Sequence, residues 1–234
     1  MKRRTNQSLW ETLQPDWSSI ESVLPKGNGL ALDLGAGTGR HRSPIEQAGY
    51  CCVCCDYHDN AAVDLQVDAH NLPFPDRTFD LVNIWQVMEY FHDPYLVLSE
   101  IRRVLKPNGV IIGSVSYLEP MQGETYFYFS KNGLLEIFRR SGFGDIVISP
   151  GISCFPLIVW TWAHQFIGNK WLTKGALWSA RITVWGLSSV FDVLSALKHS
   201  LGIGHNFRRK WLREVMPYRF AGQLTFRAIK RDLS

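Results

Sequence analysis

The chain has 234 residues, 46% hydrophobic and 20% charged, with a net charge of +4, which suits one α/β domain carrying an elaboration. No run of about 18 uninterrupted apolar residues marks a transmembrane helix, the basic Met1-Lys2-Arg3-Arg4 start lacks the apolar stretch of a signal peptide, and five cysteines, an odd number, argue against a disulfide framework. The charge is divided, net −5 over residues 1–150 and net +9 over 151–234, so the last third suits acidic partners such as an anionic membrane surface, a phosphorylated carrier or nucleic acid.

Residues 8–24 are expected to form short helices, with Asp16 as a cap, before Pro25-Lys26-Gly27-Asn28-Gly29 breaks the chain. Leu30–Leu34 reads as a buried strand running into Gly35-Ala36-Gly37-Thr38-Gly39. Glycine reaches positive φ without steric cost and lets backbone lie against a ligand. Amides at the start of a helix over 40–48 would then favour a negative group. A dinucleotide fingerprint wants G-x-G-x-x-G; here Gly39 arrives one residue early and Arg40 takes the third glycine's place. A second strand over 51–55 ends at Asp56, where an acid can accept hydrogen bonds from two ribose hydroxyls. Cys51, Cys52, Cys54 and Cys55 read as small buried hydrophobes in a reducing cytosol. No second pair exists to complete a metal site, so no metal is expected.

Further on, Asp68-Ala69-His70-Asn71-Leu72-Pro73-Phe74 leads to a strand over 79–84 that ends at Trp85-Gln86. Asp93-Pro94 is a helix start, an acceptor at the N-cap with proline at the first helical position. Val97, Ile101, Val104 and Leu105 follow on one face. Lys106-Pro107-Asn108-Gly109 is expected to end that helix, with a buried strand over 110–115. Ser130 caps a helix to about Arg140, a sixth strand covers 146–149 and a last strand covers 221–229.

In combination, Asp33 with the G-x-G-x-G turn, D-A-x-x-L-P-F-x-D-x-x-F-D-x-V from Asp68 to Val82, and E-I-x-R-V-L-K-P-N-G-V from Glu100 to Val110 resemble the class I S-adenosylmethionine (SAM) dependent methyltransferases of the type 11 branch. The resemblance implies a Rossmann-like sheet of seven strands, helices on both faces and an antiparallel last strand. It implies SAM as cofactor, bound by Asp33, Gly35, Ala36, Gly37, Gly39, Asp56, Asp68, Ala69, Trp85 and Gln86, with Asp68 meeting the adenine amine. Many relatives carry His where this chain has Tyr90. His92, Glu119 and His164 are the alternative bases, and none is assigned as catalytic.

The domain is expected over 1–151 and 218–234, interrupted at 152–217 by a basic, tryptophan-rich helical insertion that is either an acceptor cap or a membrane-surface element. The loop 118–129, with its Tyr126-Phe127-Tyr128-Phe129 cluster, is expected to line the acceptor pocket. The resulting expectation is a cytoplasmic methyltransferase, at the inner face of a membrane if the insertion docks there. It would act on a small-molecule, glycan or lipid-linked acceptor. Nucleic acid is disfavoured because no N-P-P-Y-type tetrapeptide is present. The alternatives are a silent SAM-binding or membrane-docking protein and a nucleotide-dependent oxidoreductase, the latter opposed by Arg40.

Overall fold

The computed structural model describes residues 20–118, 125–151 and 223–231. Along them run β1 (Gly29–Leu34), α1 (Arg42–Gln47), β2 (Tyr50–Asp56), β3 (Leu65–Gln66) and β4 (Phe79–Trp85). A 3-10 turn (Met88–Tyr90) follows, then α2 (Pro94–Val104), β5 (Leu105–Ser116), α3 (Lys131–Arg140), β6 (Phe143–Pro150) and β7 (Gln223–Lys230). The strands form one seven-stranded sheet in the order β3-β2-β1-β4-β5-β7-β6. β1 to β5 pair in parallel, while β7 runs antiparallel to both β5 and β6.

Alternation along the strands feeds two cores, as a sheet covered on both faces requires. Ala31, Leu81, Trp85 and Ile112 join Ile45 of α1 and Ile20 on one face. Leu32, Leu34, Val82 and Ile84 join Val97, Leu98 and Ile101 of α2 and Phe138 of α3 on the other. Cys52 and Cys54 lie buried on the α1 face, their Sγ atoms 3.8 Å apart, and Cys55 is buried in the other core. All four described cysteines are free.

Both expected caps form. Asp93 accepts from the Leu96 amide at 3.0 Å, and Ser130 accepts from the Gly133 amide at 3.1 Å. The segment Lys106–Gly109 departs from expectation, because α2 stops at Val104 and β5 begins at Leu105. Phe79 pairs with Leu105 but Leu81 pairs with Val110, so the four residues between bulge out of the ladder. Asn108 takes φ +59° there, a conformation asparagine tolerates better than most residues. The helix therefore ends in a strand, not in a glycine turn. β6 is also longer than 146–149 because it pairs along β7 from Phe143 onward. Asp16, the insertion 152–217, Glu119 and His164 lie outside the described residues. Among the described residues, no helix is long and apolar enough to cross a membrane.

Candidate functional site

The order of the sheet reverses direction at β1 and β4, and a parallel sheet presents its ligand crevice at the carboxyl ends of such strands. Gly35, Gly37 and Gly39 all take positive φ where β1 leaves the sheet. The turn is not an open nest of donors. The Gly35 and Ala36 amides both donate to the Cys55 carbonyl, at 2.8 and 3.0 Å, and the Gly39 amide donates to the Ala36 carbonyl at 2.9 Å. The Gly37 amide donates to Asp56 Oδ2 at 2.8 Å. These four turn donors are already satisfied, as is the Arg42 amide at the start of α1, which donates to the Gly39 carbonyl at 3.1 Å. The turn can serve a ligand by shape. A Cβ added at Gly35 would lie 2.5 Å from Val87 Cγ2, whereas one added at Gly37 meets nothing within 4 Å. Gly37 thus faces open space, and Gly35 faces packing.

Asp56 closes β2 and accepts from the Gly37 amide and, through Oδ1, from the His58 amide at 3.0 Å. Two lone-pair positions stay open on its half-buried carboxylate. Tyr57, which sequence reasoning passed over, follows with 66% of its surface exposed and an edge contact to His58. Asp68 sits at the end of the next crossing, its carboxyl held below the usual range by the His70 backbone amide and then by the His70 ring. Ala69 beside it is buried.

Asp33 points into the α1 face. Its carboxylate is 1% exposed and accepts from Asn83 Nδ2 at 2.7 Å. Burial raises its pKa to about 6. His41 lies 3.9 Å from Asp33 Oδ1 and stacks obliquely on Trp85, and burial pushes its imidazole down to about 3. Trp85 is therefore packed in the core under the turn. Gln86, with φ +55°, is fastened to β5: its amide donates to the Ser114 carbonyl at 2.8 Å, its Nε2 donates to Ser114 Oγ at 2.9 Å, and its Oε1 accepts from Ser116 Oγ at 3.0 Å.

Glu89 was missed in the sequence, although an acid within an otherwise apolar turn is a signal. Its carboxylate is buried and accepts from the Ser116 amide at 2.8 Å. Its backbone carbonyl accepts from the Tyr126 and Phe127 amides, at 2.8 and 3.3 Å. One residue after β4 thus ties the end of β5 to the aromatic segment beyond it. Tyr126, Phe127 and Tyr128 are 64%, 39% and 45% exposed.

The residues present fit SAM. Gly37 offers space against the backbone, Asp56 retains acceptor capacity beside it, and Asp68 Oδ2 makes no hydrogen bond among the described residues. A pyrophosphate would instead need free amides, and four of those in the turn are taken.

Comparison with known proteins agrees with this geometry. Residues 32–113 match the family model of a methyltransferase domain. A demethylmenaquinone methyltransferase of Corynebacterium kroppenstedtii is 36% identical over 116 residues, 45% of this chain and 50% of that protein. The chain spans about half the length of the curated relatives it matches first. A Haemonchus contortus phosphoethanolamine N-methyltransferase, solved with SAM, superimposes with a TM-score of 0.53 at 17% identity, over 92% of this chain and 52% of that one. The [4+2]-cyclase SpnF superimposes with a TM-score of 0.54 at 19% identity, over 90% and 77%. These two likenesses establish the fold alone. With the sheet order, the turn and the family match together, residues 32–113 are a class I SAM-dependent methyltransferase domain.

Proposed function

We propose that this protein transfers the methyl group of SAM to a small-molecule acceptor, a flat aromatic ring of the quinol type. The observation that carries the methyl-transfer reading is the Asp56 carboxylate against the open Gly37 backbone, 2.8 Å from its amide, at the end of β2. Asp56 would hold the ribose hydroxyls, Asp68 the adenine amine, and the Gly35–Gly39 turn the amino-acid end. Bound SAM supplies an electrophilic methyl on a sulfonium. The protein's remaining task is to align the acceptor with that methyl and exclude water.

The aromatic row Tyr126–Tyr128, anchored to the Glu89 carbonyl, supports a flat acceptor. So does the name of the Corynebacterium relative, a demethylmenaquinone methyltransferase. An acceptor losing a proton needs a base, and His92 is the candidate among the described residues. A lipid-linked or glycan acceptor handled at a membrane surface is the second reading, favoured by the net charge of +9 over residues 151–234.

The test is transfer of labelled methyl from SAM, first to reduced demethylmenaquinone and then to an extract separated into lipid, glycan, small-molecule, protein and nucleic-acid fractions. Label on the quinone supports the proposal. Label only in glycan transfers it to the second reading, and no label in any fraction, with SAM bound, overturns methyl transfer.

A further inference from the structure

His70 occupies an unusual position between two loops. Its backbone amide and its ring Nδ1 both reach Asp68 Oδ1, at 2.9 and 2.7 Å. Its Nε2 accepts from the Asp93 backbone amide at a longer 3.4 Å. An acceptor at Nε2 leaves the hydrogen on Nδ1, so the ring donates to the carboxylate. The ring itself is fixed. His92 lies over it with centroids 3.8 Å apart, and Phe91 meets it edge-on at 5.9 Å. Asp93 is in turn the N-cap of α2. A histidine thus joins the loop carrying Asp68 to a helix anchored in the core.

The consequence concerns Asp68. A carboxylate oxygen has two lone pairs, and both on Oδ1 are used by His70. Oδ2 is left to face outward on a side chain 54% exposed, while the His70 ring is only 15% exposed. A carboxylate on an exposed loop ordinarily rotates among several orientations, and ordering it costs binding energy. Here that ordering is done in advance.

Resting on the cofactor reading above, we propose that His70 is a positioning residue for nucleoside selection. It aims Asp68 Oδ2 at an exocyclic amine, so that the site takes adenine and rejects a purine with a carbonyl at the same place. The chemistry is a donor–acceptor match. An adenine amine donates to the carboxylate, whereas a hypoxanthine carbonyl presents a second acceptor to it. A site built to hydrogen-bond one group rejects the analogue lacking it far more strongly than it rejects a change of size.

The experiment is titration calorimetry of the purified full chain with S-adenosylhomocysteine and with its deaminated analogue, S-inosylhomocysteine. The wild type is expected to prefer the adenine form by about tenfold or more, as one hydrogen bond to a charged group gives. His70→Ala should lower affinity for the adenine form by about fivefold and leave the inosine form within about twofold. His70→Phe keeps the ring stacking but has no donor, and should lose the preference likewise, which covers the case in which the alanine variant does not fold. His70→Asn, whose amide can reach Asp68, should restore most of the preference. Equal weakening of both ligands in the variants would mark a purely structural role and overturn the proposal, and so would an unchanged preference. A wild type that binds neither ligand overturns the cofactor reading and this proposal with it.

Discussion

Asn83 Nδ2 donates to Asp33 Oδ1 across 2.7 Å between β1 and β4, and the other carboxylate oxygen, Asp33 Oδ2, and the amide oxygen, Asn83 Oδ1, have no hydrogen-bond partner among the described residues. Two buried acceptors of this kind lack one hydrogen. A proton on Asp33 supplies it, and burial favours that proton, raising the carboxyl from its ordinary 3.8 to about 6. His41, 3.9 Å away, does not take its place, because burial pushes its imidazole down to about 3, and the charges of Arg40 and Arg42 oppose the proton by less than burial favours it.

This arrangement makes stability depend on pH in an unusual direction. The folded state binds the proton more tightly than the unfolded state. The contribution of Asp33 is therefore fully present below pH 3.8 and lost as pH rises through about 6. It amounts to as much as ~3 kcal/mol. Asp33→Asn, a neutral isostere bringing its own donor, should abolish the dependence and be more stable than wild type at pH 7, while matching it near pH 4. Urea denaturation of both proteins at the two pH values measures the difference, in which the opposing acids Asp64, Asp68 and Glu100, all held below their usual range, cancel. A constant gap between the two proteins would mean that Asp33 is ionised in the fold.

Asp56 holds the Gly37 amide and, on the proposed reading, the cofactor ribose. Asp56→Ala removes the partner of the Gly37 amide and the proposed cofactor acceptor together. SAM binding should weaken by about 1.5–3 kcal/mol, the range for hydrogen bonds to a charged group. Asp56→Asn keeps one oxygen for Gly37 and should fall between. Calorimetric titration with SAM decides the matter, and an unchanged affinity in the alanine variant would exclude the ribose assignment.

Much of the fold was legible because strand and turn signals are local. Leu30–Leu34 with its glycine turn, the Asp93-Pro94 start and the Ser130 cap all declare themselves within a few residues, and each was found where expected. Lys106–Gly109 was legible only in part. Lysine, proline, asparagine and glycine resemble a helix stop locally, and α2 does end just before them at Val104, but only the pairing of Phe79 with Leu105 makes the segment a bulge within β5. Among the candidate site residues, Asp56 was visible as an acid at a strand end, and Asp68 through the D-A-x-x-L-P-F resemblance. Asn83 and Glu89 were not, because their partners lie 50 and 27 positions away, and neither was the tether that fixes the His70 ring, which comes from Asp93, 23 positions on. A polar residue in a buried run is a flag, but its partner is a fact of the fold.

Arg103 is the fastener of the loop that carries the Leu72-Pro73-Phe74 stretch. It donates to Glu100 through Nε and Nη2, to the Leu72 carbonyl through Nη2, and to the Phe74 carbonyl and Asp76 through Nη1. Glu100 returns the contact by accepting from the Leu72 amide at 2.9 Å. Arg103→Ala should cost about 2–3 kcal/mol, with hydrogen bonds to charged groups the main loss. Arg103→Lys should rescue little, since a single ammonium cannot span the same fork of acceptors. Urea midpoints give the cost. Full stability in the lysine variant would show that charge alone holds the loop.

Gly37 and Gly113 are both glycines that alanine should not replace, but for opposite reasons. Gly113 lies in β5, where an added Cβ would strike the Ile84 carbonyl and come 2.6 Å from Phe226 Cζ. Neither neighbour can yield without moving the sheet, so Gly113→Ala should leave little folded protein. Gly37 has φ +54° and nothing within 4 Å of an added Cβ. There the only folding cost is the left-handed backbone, about 1–2 kcal/mol for a non-glycine residue. On the proposed reading, the methyl would instead occupy the space where the cofactor lies against the chain. Gly37→Ala is therefore expected to remain folded, with thermal unfolding only a few degrees lower, and to lose SAM affinity by far more than its loss of stability explains. Circular dichroism melts paired with SAM titration separate the two effects. Should the variant bind SAM as the wild type does, the open space at Gly37 is not the cofactor's, and the site has to be sought elsewhere along the strand ends.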